Sequence, residues 1–121
     1  MSAFEHVGTI RPQQIWETIV GRSVHGEHIT LALLELDANG DVPEHSHANE
    51  QVGILVAGSV TFRIGDETAE VEPGGMWVIP PNVPHSVTVG PDGAVIVEAF
   101  SPPRADWGAI ETLEPGPGRW P

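Results

Sequence analysis

The chain of 121 residues has no cysteine, no lysine and no tyrosine. Without cysteine there can be no disulfide, no thiol nucleophile and no thiolate metal site, and the redox compartment leaves no mark on the sequence. Without lysine and tyrosine, a Schiff-base amine and a phenolic acid are also excluded. All five basic residues are arginines, and they face 17 acidic ones, for a formal net charge of −12. That balance argues against nucleic acid or an anionic membrane surface as a partner. No apolar run approaches the roughly 20 residues of a membrane-spanning helix. The opening MSAFEHVGTIRP carries neither a basic nor an apolar leader region, so no signal peptide is expected and the cytoplasm is the expected location. Histidine, carboxylates, arginine, hydroxyls and a bound metal remain to carry any chemistry.

A chain of this length forms one domain. Its 14 glycines and 12 prolines cut it into short segments. Strands are expected over residues 15–20, 28–36, 42–57, 59–64, 68–72, 76–79, 85–89 and 94–100, with turns at 21–27, 37–41, 65–66, 73–75 and 90–93. The stretch 28–36 is apolar on both faces, as in a strand covered on both sides. Three prolines exclude residues 80–84 from a strand interior. No helical period occurs before residue 104, so the expected class is an all-β sandwich or barrel. Residues 1–14 read as an arm, 15–104 as the barrel, and 105–121 as an irregular or briefly helical tail.

The stretch GDVPEHSHANEQVGILVAG, residues 40–58, places His45 and His47 two positions apart in a run that reads as strand. On a strand, side chains at i and i+2 share a face, so both imidazoles project the same way. Gln51 adds a carbonyl oxygen on that side, whereas Glu50 points away if the strand is regular. His85 is the candidate for the remaining ligand. Three imidazoles and an amide oxygen form a wholly neutral set, so a bound divalent ion would keep its full charge and be a strong Lewis acid and anion binder. Mn, Fe, Ni, Zn, Co and Cu all suit these donors. His6, His25 and His28 have no partner at ligand spacing and read as solvated residues.

Gly40, His45, His47, Gln51 and Gly58 resemble the first signature of the cupin superfamily, and Gly74, Pro80, Asn82 and His85 resemble its second. The usual glutamate of the first signature is Gln51 here, and the asparagine that often ends the second is Val89. The resemblance implies a single-domain cupin-type β-barrel, a jelly roll of two antiparallel sheets, holding one divalent transition metal at His45, His47, Gln51 and His85. It also implies a homodimer, which would cover an edge such as residues 68–72. A narrower similarity links HxHxxEQ and the later string EAFSPPR, residues 98–104, to the small cupins of pectin and alginate catabolism. Those act on 4,5-unsaturated uronates and usually carry aspartate at the position of Glu98.

This similarity implies catalytic roles for Glu98 and Arg104. Glu98 is expected to act as general base or acid, or only as support behind the metal. Arg104 is expected to bind a substrate carboxylate, and Arg63 to be an outward strand residue. Phe100, Trp16 and Trp77 line the cavity or form plain core. The leading expectation is a metal-dependent lyase or isomerase on a small, anionic oxygenated acid such as an unsaturated uronate or keto sugar. A metal-dependent dioxygenase and a non-catalytic binding or sensing protein are the alternatives.

Overall fold

A computed structural model describes residues 2–120. Eight strands follow in order: β1 Gln13–Trp16, β2 Ile19–His25, β3 Thr30–Leu36, β4 Asp41–His45, β5 Glu50–Ile64, β6 Glu67–Val71, β7 Met76–Ile79 and β8 His85–Ser101. A short 3-10 helix, Ala105–Ala109, comes after them. The fold is all-β, and no helix is long and apolar enough to cross a membrane among the described residues.

Strands β5 and β8 are long enough to belong to both layers of the roll. Their first-layer halves pair at Glu50–Gly58 against Ala94–Ser101, flanked by β3, β2 and β1 on one side and by β7 on the other. Their second-layer halves pair at Val60–Ile64 against His85–Val89, flanked by β4 and β6. All pairings are antiparallel.

The corner between layers lies at two register shifts, Leu55/Ala57 and Gly58/Val60. Bulges of this kind bend a strand and increase its twist. Gly58 sits there at φ +85°, and a Cβ on it would lie 1.9 Å from the Gly93 carbonyl oxygen. Only glycine fits that approach.

Several expected boundaries are corrected. Most of the segment 21–27 is not a turn: β2 continues to His25 and the turn into β3 falls at residues 26–29, while a further turn falls at Glu17-Thr18, inside the strand expected over 15–20. The alternation from Ile19 to Ser23 pairs with all of β3, and that cross-strand pairing overrides the turn propensity of Gly21 and Ser23. Gly58 does not divide β5, and the GPDG segment does not divide β8, because both lie in the bulged corner. The strand expected over 42–57 is interrupted instead after His45, and His47 stands in the short connection before Glu50.

Leu34, Leu36, Leu55, Phe62, Ile79 and Ile96 are among the side chains packed between the layers. On the outer face of β3, Glu35 is covered by the tail. Arg22 pairs with its carboxylate, and Arg119 reaches it through Nε at 3.3 Å and its backbone N–H at 2.9 Å. Gln13 holds the other end of the tail, its amide donating to the carbonyls of Trp107 and Ile110 at 2.9 and 3.0 Å.

Candidate metal centre and its cavity

The register determines what faces the interior. On β8, the strand that joins both layers, His85 lies opposite His45 of β4 and Ile64 of β5. Further along the same strand, Glu98 lies between Ala32 of β3 and Gly53 of β5, and Phe100 lies between Thr30 and Gln51. His47 is brought in by a loop contact, since the Asn82 N–H in the proline-rich turn donates to the His47 carbonyl at 2.8 Å. Asn82 adopts φ +65°, which asparagine tolerates better than most residues.

The three imidazoles converge. Ring centroids are 4.2 Å apart for His45 and His85, 4.9 Å for His47 and His85, and 5.9 Å for His45 and His47. One ligating nitrogen from each lies within 4.8 Å of the others.

Their tautomers follow from their partners. Nδ1 of His45 faces the Pro43 carbonyl at 2.9 Å, Nδ1 of His47 faces the Asn49 carbonyl at 3.0 Å, and Nδ1 of His85 faces the Val83 carbonyl at 2.9 Å. A carbonyl oxygen only accepts, so each Nδ1 carries the proton and each Nε2 presents a lone pair.

Two observations test whether a metal fits. His85 Nε2 is buried and has no hydrogen-bond partner. A buried lone pair without a partner is costly, and a cation supplies the missing interaction. In addition, His47 Nε2 and Gln51 Oε1 lie 2.9 Å apart. The Gln51 amide nitrogen is committed to donating to Glu98, so two acceptors face each other at that short distance. A shared cation relieves the repulsion. Burial also holds the imidazoles of His47 and His85 neutral, with His85 pushed down to about 4, which keeps their lone pairs available for a metal. The donor set fits a divalent transition ion at His45, His47, His85 and the Gln51 oxygen.

Glu98 stands behind Gln51. Its Oε2 accepts from the Gln51 amide and from Trp77 Nε1, the latter at 2.9 Å. Gly53 makes the second bond possible, because a Cβ there would lie 2.7 Å from the Trp77 ring that crosses it. Burial raises Glu98 to about 7, against the lowering effect of the Gln51 and Trp77 hydrogen bonds and of the Arg104 charge. A carboxyl that exchanges its proton near neutrality, with one oxygen held and its side chain lining the cavity, is equipped to move a proton.

Arg104 also lines the cavity, stacked 5.0 Å from the centroid of Phe100 and 4.8 Å from that of Trp107. Its Nε and Nη2 donate to Asp106 at 3.0 and 2.8 Å, so the donors of Nη1 remain for a second anion.

The sequence reading missed Asp106, Trp107 and the donor role of Trp77. Asp106 and Trp107 lie in the tail, where no strand period gives a direction. The signal for Trp77 was Gly53, a glycine inside a strand, which often marks a close approach by another group. Phe100 is buried core that lines the cavity, and Trp16 tilts against His45 at a centroid distance of 5.0 Å. Arg63 is exposed, with Nε on the Gly65 carbonyl, and His6, His25 and His28 lie outside the cluster.

Comparison with known proteins agrees with this architecture. The chain is 32% identical over 75 residues to H2HPP isomerase of Bacillus subtilis, covering 61% of this chain and 31% of that protein, so it spans about a third of that relative's length. An RmlC-like cupin from Shewanella frigidimarina superposes with a TM-score of 0.81 at 19% identity, over 88% of this chain and 96% of that one. KdgF from Halomonas sp. superposes with a TM-score of 0.79 at 20% identity, over 88% and 98%. At these identities the two structures speak for the fold alone. The family model for the Cupin domain matches residues 32–100, from the middle of β3 through Phe100 and with every proposed ligand inside it, and the chain therefore belongs to the cupin family.

Proposed function

We propose that this cupin is a metal-dependent lyase or isomerase acting on a small oxygenated acid, the unsaturated uronates and keto sugars being the candidates that the 98–104 string suggests. The observation that carries the reading is the cluster of three Nε2 lone pairs, joined through the Gln51 amide to the buried Glu98 carboxyl. A divalent ion held by His45, His47, His85 and Gln51 would supply Lewis acidity toward a substrate hydroxyl or carbonyl oxygen. Glu98 takes or returns the proton, its affinity matched to neutral pH by burial. Gln51 orients that carboxyl through its amide N–H, Trp77 holds the same oxygen, and Arg104 offers Nη1 to a substrate carboxylate. The apolar walls exclude bulk water, which strengthens each of these interactions. The sequence relationship to an isomerase supports this class of reaction.

A dioxygenase would use the same ligands, and oxygen separates the two. The expected result is substrate conversion at an undiminished rate under anaerobic conditions, with no oxygen consumed in air. Oxygen uptake in step with substrate loss would replace this reading by the dioxygenase one. A metal-loaded protein inert toward both sugar-acid and enediol panels would leave a binding or sensing role.

The same reading includes a homodimer. The β6 edge is acidic, with Glu67 and Glu70 exposed, so two copies pairing there would bring like charges together. The outer face of the first layer suits self-association better. Val24, Leu31, Ala99, Val52 and Val78 form one cross-strand row on it, and Leu31 and Val78 are 51% and 60% exposed. Leu31→Glu is expected to convert a dimer into a monomer in sedimentation equilibrium. A wild-type protein that sediments as a monomer at all concentrations rules the dimer out.

A further inference from the structure

Arg104 lines the cavity where the chain leaves β8 for the short helix Ala105–Ala109. An arginine on such a connection ordinarily moves among many rotamers and loses that freedom on binding a ligand. Here several contacts hold it beforehand. Its backbone N–H donates to the buried Thr30 hydroxyl at 2.9 Å. Its guanidinium stacks on Phe100 and on Trp107, at 5.0 and 4.8 Å from the ring centroids. Asp106 takes one edge, accepting from Nε at 3.0 Å and from Nη2 at 2.8 Å.

The helix that carries Asp106 and Trp107 is itself tied to β1, because the Gln13 amide donates to the carbonyls of Trp107 and Ile110. Trp107 is buried, so its ring is a fixed support for the guanidinium. Phe100 also meets His47, at a centroid distance of 6.1 Å, which sets Arg104 one side chain away from the imidazole cluster.

A guanidinium carries five N–H donors. Asp106 engages Nε and one N–H of Nη2, which leaves both donors of Nη1 and the second of Nη2. The end edge therefore still presents two parallel N–H groups, the fork that takes a carboxylate bidentately. The Asp106 side chain is 62% exposed, and an ion pair that open to solvent adds little to the stability of a fold. What the pair fixes is the direction in which Arg104 points.

We propose that Asp106, carried by the C-terminal tail, is a positioning residue that aims the end edge of Arg104 at the carboxylate of the substrate. This rests on the reading of the cavity as the active site for an oxygenated acid, and it makes the tail part of that site.

Asp106→Asn separates aim from charge, because the two predict opposite signs. The substitution keeps the shape of the side chain, removes one negative charge and turns an amide N–H toward the guanidinium donors. If charge alone governed, anions would bind more tightly; if aim governs, carboxylates bind more weakly. Titration calorimetry of the zinc-loaded full chain with galacturonate and its uncharged methyl ester reads the difference. Wild type is expected to favour the acid by at least about tenfold, as charge-assisted hydrogen bonds allow. Asp106→Asn is expected to cut that preference to about threefold or less by weakening the acid alone, and Arg104→Gln to abolish it. An Asp106→Asn variant that binds galacturonate as tightly as wild type, or more tightly, overturns the proposal. So does a wild type that takes acid and ester alike, or a preference that survives Arg104→Gln.

The aim of Arg104 is also read without any ligand. Its Nε–H resonance, assigned by its loss in Arg104→Gln, is expected to exchange slowly with water in wild type and to lose that protection in Asp106→Asn. Unchanged protection refutes the role of Asp106. If neither acid nor ester binds to wild type, the uronate reading fails, while this resonance still decides the positioning.

Discussion

Glu98→Gln is expected to reduce turnover by about 10²–10⁴-fold, the usual range for removing a positioned acid or base, with metal content at the wild-type level. The substitution keeps the shape of the side chain and leaves a carbonyl oxygen that still accepts from Gln51 and Trp77. It removes only the capacity to exchange a proton. A variant with undiminished turnover would leave Glu98 as support for Gln51 and nothing more.

An independent readout comes from stability in the metal-free protein. The unfolded carboxyl loses its proton near pH 4.5, whereas the folded one keeps it to about 7. Between those values the folded state binds more protons than the unfolded one, so the Glu98 contribution to stability falls as pH rises. Over the whole window the loss is roughly 3 kcal/mol. His85 has the opposite sign: unfolded it titrates at 6.5 and folded at about 4, so its contribution rises with pH across that interval. The two slopes oppose each other where they overlap, and wild-type stability alone conceals both. The difference between wild type and Glu98→Gln in urea melts isolates the carboxyl, and a difference that does not grow from pH 4.5 to 7 would contradict the raised pKa.

His45→Ala and His85→Ala are each expected to lose bound metal, from near one ion per chain to less than about a tenth after dialysis. Three imidazoles provide most of the affinity, and two with a neutral amide oxygen form a weak site. The His85 substitution is the more informative, because that side chain is 2% exposed and its Nε2 has no other partner. Removing it opens a small cavity but also removes an unsatisfied buried nitrogen, so the metal-free variant stays folded. Elemental analysis with circular dichroism checks both points. His28→Ala, on the exposed turn before β3, is expected to retain wild-type metal and serves as the control. Metal persisting at full occupancy in both His45→Ala and His85→Ala would refute the centre.

Much of the fold was legible because glycine and proline punctuate short, alternating apolar runs. β6 and β7 came within a residue or so of their expected positions for that reason. The joined strands β5 and β8 did not, since Gly58 and the GPDG segment read as breaks until bulges in the corner absorb them. Likewise, i and i+2 spacing placed His45 and His47 together, although His47 stands beyond the end of β4. Its ring joins the others because Asn82 holds that connection from across the barrel mouth.

The sequence by itself determined the donor types, their neutrality and the class of fold, because residue identity sets ligand chemistry and strand periodicity sets which neighbours share a face. It could not decide the direction of Glu98. The segment AVIVEAF is apolar at every other position, so its pattern does not distinguish inside from outside. Pairing with β3 and β5 turned Ala94, Ile96, Glu98 and Phe100 inward, with Glu98 between Ala32 and Gly53, small partners that leave room for the Trp77 ring. The pairing of Arg104 with Asp106 and the hydrocarbon lining of the cavity were likewise decided only in three dimensions. Both depend on groups brought together from distant strands and from the tail, a juxtaposition that no local pattern encodes.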